Sequence, residues 1–89
     1  MACLKRIILD VLKPHQPNAL EFSKAIANVG SDYRVHLTVI TMDKATETIQ
    51  IEIEGGALDF ESIQSSINAM GGSLHSIDEV VVHSDSKVE

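Results

Sequence analysis

The chain has 89 residues, 44% of them hydrophobic, which is the size of one domain and too short for two independent cores. Its 13 acidic residues outnumber 7 basic ones for a net charge of -6, and no stretch gathers Lys or Arg into a stripe, so a nucleic-acid backbone would be repelled. Cys3 is the only cysteine, which leaves no disulfide framework and no CxxC metal motif and points to a reducing, cytoplasmic setting.

Leu4 to Leu12 is rich in β-branched residues and leucine and is closed off by Pro14 and Pro17, so it reads as a first strand. Asp10 interrupts the apolar run and no small-residue cleavage site follows, which argues against a signal peptide; no segment approaches the length of a membrane span. Asn18 and Glu21 form a capping box, and Ala19, Phe22, Ile26 and Val29 follow at helical spacing up to a C-capping Gly30. Tyr33 to Met42 alternates as a strand, with Val35, Leu37 and Val39 on one face and His36, Thr38 and Ile40 on the other.

A polar turn at Asp43 to Thr46 leads into a third strand, where Ile49, Ile51 and Ile53 alternate with Thr48, Gln50, Glu52 and Glu54. Asp59 caps a second helix carrying Phe60, Ile63, Ile67 and Met70, which ends at Gly71-Gly72. Ser73 to His83 is the last strand, with a bulge expected at Asp78-Glu79, and residues 84–89 form a polar, frayed tail.

The two helices share one apolar spacing, and each is followed by glycine, so the chain reads as two βαβ-like halves. The expected fold is a single α+β, ferredoxin-like βαββαβ sandwich. Its four-stranded antiparallel sheet has order 4-1-3-2, with two helices on one face. This topology gathers Lys13, His15, Asp43, Lys44, Glu47, Ser73 and His75 at one end of the sheet. Lys13, His15, Glu47, His75 and Ser76 are therefore the candidate ligand-binding residues, for a small molecule or a cation. On the sheet face without helices, Ile8, Leu12 and Ile40 make a surface more apolar than water contact requires, which suggests burial against another subunit. Asp10 on that face pairs with Arg6 or Lys13, faces water, or joins Glu52, and with them Asp78 and Glu79, around a divalent cation, calcium or magnesium.

The strands lack the stacking aromatics of an RNA-recognition motif, and Lys-Pro-His-Gln-Pro at 13–17 replaces the paired cysteines of a copper chaperone or the arginine loop of an acylphosphatase. Fold alone therefore assigns no activity. The segments IILDVLKPHQP, MDKATETIQIEIEG with LDFESI, and MGGSLHSIDEVV together resemble an archaeal family of small ferredoxin-like proteins, the domain of unknown function numbered 211. The resemblance covers about Leu4 to Val82. It implies a cytoplasmic βαββαβ protein, ring-like homo-oligomers with a heptamer among them, and no established activity or catalytic residues.

Two functions from different classes follow. One is an oligomeric binding or regulatory module that holds a metal ion or small metabolite where subunits meet. The other is a small enzyme running acid-base chemistry on His15 or His75 beside a carboxylate. The first is favoured, because an 89-residue chain has little volume for a closed catalytic pocket and shows no activated nucleophile.

Overall fold

The computed structural model describes residues 1–84; the part of the expected tail at 85–89 lies outside the described residues, while Ser84 closes the last strand. The elements run β1 (Ala2–Pro14), α1 (Ala19–Ala27), β2 (Arg34–Met42), β3 (Thr46–Glu54), α2 (Phe60–Ala69) and β4 (Ser73–Ser84). All strand pairings are antiparallel in the order β2-β3-β1-β4, the expected order read from the other edge. With its two helices, this is the ferredoxin-like α+β fold. No helix among the described residues is long and apolar enough to cross a membrane.

The core follows from the two periodicities in the sequence. Period two on the central strands turns Ile7, Leu9 and Val11 of β1 and Ile49, Ile51 and Ile53 of β3 to the same side. Helical spacing turns Phe22 and Ile26 of α1 and Ile63 and Ile67 of α2 toward them, and every one of these side chains is at most 2% exposed. Burying each contributes about 1.5–3 kcal/mol relative to leaving it in water.

Both N-caps form as the sequence predicts, but of the capping box expected at α1 only the Asn18 half is made among the described residues. The Asn18 side chain accepts from the Glu21 amide at 2.9 Å, and the Asp59 carboxylate accepts from the Ser62 amide at 3.2 Å and its hydroxyl at 2.9 Å. The helix ends differ. After α2, Gly71 takes φ +86, the left-handed value that favours glycine, and the Gly72 amide closes onto Ile67 O at 2.9 Å. Gly30 does not cap α1: the helix stops at Ala27 and Asn28 caps it in the right-handed region. The Asn28 and Val29 amides already reach Lys24 O and Ile26 O, so no left-handed residue is needed there.

β1 extends two residues beyond expectation at each end, because Ala2 pairs with Ser84 and Pro14 with Thr46. The β1–β4 register shifts between Ile8 and Leu9, leaving Asp78 as the extra residue at the expected bulge, and shifts again between Asp10 and Val11, beside His75. Two further shifts fall at Lys5 of β1 and at Ile40 of β2.

Candidate functional site

The end of the sheet where β1 stops and the β2–β3 hairpin turns holds a compact charged cluster. Lys13 and Glu47 are directly opposite on β1 and β3, and both point to the helix side because they continue the parity of Val11 and Ile49. Lys13 is fully buried. Its Nζ lies 3.0 Å from Glu47 Oε1, donates to Pro14 O at 2.8 Å, and sits 5.8 Å from the centre of the Phe22 ring. A buried ammonium is tolerable only with such partners.

His15, just past the strand end, meets the other oxygen of the same carboxylate, with Nδ1 2.9 Å from Glu47 Oε2. Its Nε2 lies 2.9 Å from both Asp43 O and Lys44 O, and a carbonyl only accepts, so Nε2 carries a proton. The hydrogen bond to Glu47, then that to Lys44 O, raises the His15 pKa above the ordinary histidine value. Hydrogen bonds from His15 and then Lys13 hold the Glu47 carboxyl below the usual range. The hairpin is closed by the Asp43 amide on Thr46 O at 2.8 Å.

Three of the residues expected at this rim, Lys13, His15 and Glu47, are thus brought together. His75 and Ser76 are not among them. Exposed His75 lines an open groove of about 310 Å³ with Asp10, Val11, Leu12 and Thr48 on the helix-free face, and Ser76 pairs with Asp10 across the strands.

That face carries a second cluster, centred on Arg6. Its guanidinium bonds Glu52 at 3.1 Å, Glu79 at 3.0 Å and Glu54, while Arg34 reaches the other oxygen of Glu54 at 2.6 Å and His36 lies 3.8 Å from Glu52. Bonds from Arg34 and then Arg6 depress the Glu54 pKa. Of the four carboxylates considered for a cation, Glu52 and Glu79 sit on Arg6, Asp78 accepts from the Ser76 hydroxyl at 2.7 Å, and half-buried Asp10 has no ion pair among the described residues. No group of three or more His, Cys, Asp or Glu side chains among the described residues is placed to hold a metal ion.

The expectation of an apolar open face is corrected in one respect. Ile8 is only 9% exposed, flanked by Glu52 and Glu79, which Arg6 ties together above it. The exposed apolar side chains lie mainly on the two edge strands instead: Val39, Ile40 and Met42 on β2, and Ile77, Val80 and Val82 on β4. Sequence reasoning missed the Arg6 cluster. Its signal was the shared parity of Arg6, Glu52 and Glu54, which becomes meaningful only once Arg6 is known to pair with Glu54.

The family model for the domain of unknown function 211, described as uncharacterized ArCR, matches residues 5–88. An uncharacterized protein of Methanocaldococcus jannaschii, MJ0319, is 44% identical over 78 residues, covering 88% of this chain and 80% of the relative. On that match the chain belongs to the archaeal domain of unknown function 211 family.

Proposed function

We propose that this chain is a self-associating, non-catalytic binding subunit, joined head to tail through its two sheet edges. β2 and β4 are long edge strands with apolar side chains, a combination that pairs with another chain unless something blocks it. They run in opposite directions, so β4 of one copy placed beside β2 of the next continues the antiparallel sheet.

The observation that carries this reading is the match between the two edges along the ladder. On the helix side, Val80, Ile77 and Leu74 of β4 stand in the same rows as Val35, Leu37 and Val39 of β2; on the other side Glu79 shares a row with His36. Unstaggered pairing between copies therefore sets apolar beside apolar and carboxylate beside imidazole. A heterologous contact of this kind closes into a ring when its rotation permits, the heptamer implied by the family resemblance being one such ring.

The ligand of such an assembly belongs at the groove lined by Asp10 of β1 and His75 of the edge strand β4, with Asp78 further along the same strand. The two hard carboxylates suit a divalent cation such as calcium or magnesium, completed by a neighbouring copy. A catalytic role at the rim is disfavoured because both His15 nitrogens and both Glu47 oxygens already have partners.

Native mass spectrometry and light scattering test the association. The wild type is expected as one closed stoichiometry, and an I77K/V80K variant as a folded monomer by circular dichroism. A monomeric wild type at micromolar concentration overturns the reading. A thermal shift of the oligomer by calcium or magnesium that D10N abolishes is expected at the groove; equal shifts in both proteins remove the cation from it.

A further inference from the structure

We infer that His15 is a protonation-dependent latch that pins the β2–β3 hairpin to the end of β1. The inference stands on geometry and does not depend on how copies of the chain associate. The imidazole lies between two acceptors of different kinds. Nε2 faces the carbonyls of Asp43 and Lys44, both 2.9 Å away, and Nδ1 faces Glu47 Oε2 at the same distance. Carbonyls cannot donate, so Nε2 keeps a proton. Glu47 is held ionised by the buried Lys13 ammonium 3.0 Å from its other oxygen, so it cannot donate either, and Nδ1 keeps a second proton. Only the imidazolium satisfies both sides; the neutral ring must abandon either the hairpin or the carboxylate.

The groups that face the ring come from every element around it. Glu47 is on β3, Lys13 acts from β1 through Glu47, and the hairpin presents its backbone carbonyls; no other charged side chain among the described residues bonds to His15. At its base the hairpin is held by the ladder pairs Thr41–Thr48, Met42–Glu47 and Pro14–Thr46, and the turn beyond them has few other bonds. Its own closure is the Asp43 amide on Thr46 O, and residues 41–45 are exposed. The strand ends beneath are firm, because Lys13 is locked under Phe22. A firm base and a loosely held turn, joined through one titrating ring, are the elements a latch requires.

The sign of the effect follows from linkage. A ring that is more basic when latched stabilises the closed hairpin fully below the free-histidine midpoint of about 6.5, and that stabilisation is lost as pH rises through the higher latched midpoint. The opening constant of the hairpin then grows about tenfold for each pH unit separating the closed and open midpoints of His15.

Nuclear magnetic resonance on the full chain tests this directly. The four histidine rings are titrated by nitrogen–proton correlation, and exchange of the Asp43 amide, corrected for its intrinsic pH dependence, is followed over the same range. The expected result is a His15 midpoint above about 6.5, both ring nitrogens protonated below it, and Asp43 protection falling with the same midpoint. In H15Q the corrected protection is expected to be independent of pH between 6 and 9. A His15 midpoint at or below that of free histidine, or Asp43 protection that stays flat while His15 titrates, overturns the latch. Protection that falls equally in H15Q also overturns it, by assigning the loss to another group. The wild-type titration gives its answer even if H15Q folds poorly, and H15N is a second variant lacking the titrating group.

Discussion

Two ionic clusters are built into the same sheet, one at the rim around Lys13 and Glu47 and one on the open face around Arg6. Both join a cation on β1 to glutamates across the strands. The rim pair is sealed beneath Phe22, with side chains 0% and 8% exposed, whereas Arg6 and its partners are 28% to 48% exposed. The difference teaches that burial, more than the number of pairs, sets what a charge contributes. A sealed pair is little screened by salt, and breaking it strands a charge. A half-exposed network has more bonds but gains less from each, since water and ions compete for every one.

Truncation is the strongest way to break this comparison. Lys13→Ala leaves Glu47 without its buried cation and a void beside Phe22, and is expected to lower Tm by at least about 10 °C. Arg6→Ala removes three ion pairs yet is expected to cost only a few degrees. In thermal melts, about 1 M NaCl should shrink the Arg6→Ala deficit and leave that of Lys13→Ala nearly unchanged. Equal deficits, or equal salt responses, would mean that burial does not separate the clusters.

Stability against pH sharpens it further. His15 is more basic in the folded chain, so its contribution is complete below the free-histidine value and is lost as pH rises through the raised midpoint. Glu47 is more acidic when folded, so its contribution is present above the ordinary carboxylate value and is lost as pH falls through the depressed one. Chemical denaturation across pH should therefore give a plateau between the two limbs, and H15Q should remove the alkaline limb and, by taking away the largest hydrogen bond that holds Glu47 down, shrink the acid limb as well. The open face adds to the acid limb through Glu54, which Arg34→Ala should reduce.

The smallest expected effect lies outside both clusters. Asn18→Ala removes the cap that begins α1, and is expected to cost about 1 kcal/mol without moving the His15 titration. A displaced titration would show that α1 and the rim are coupled.

Much of this molecule could be read from one dimension. The alternation of Ile49, Ile51 and Ile53, the helical spacing of Phe22 and Ile26 or Ile63 and Ile67, and the caps at Asn18, Asp59 and Gly71 concern neighbours within a few residues. Local backbone geometry makes such patterns speak for themselves. Element order followed from them, strand order from the handedness of crossovers, and the meeting of Lys13, His15 and Glu47 at one end from the resulting topology.

What the sequence alone could not determine depends on register. Arg6 meets Glu52, Glu54 and Glu79 across separations of 46, 48 and 73 residues, and a shift of one position would send those side chains to the other face. The same register buries Ile8 beneath the glutamates, carries Lys13 beneath Phe22 and, through the shift at His75, turns that histidine away from the rim and into the groove beside Asp10. Facing residues on antiparallel strands are chosen by how the whole sheet packs against its helices, and that selection is made only when the chain closes in three dimensions.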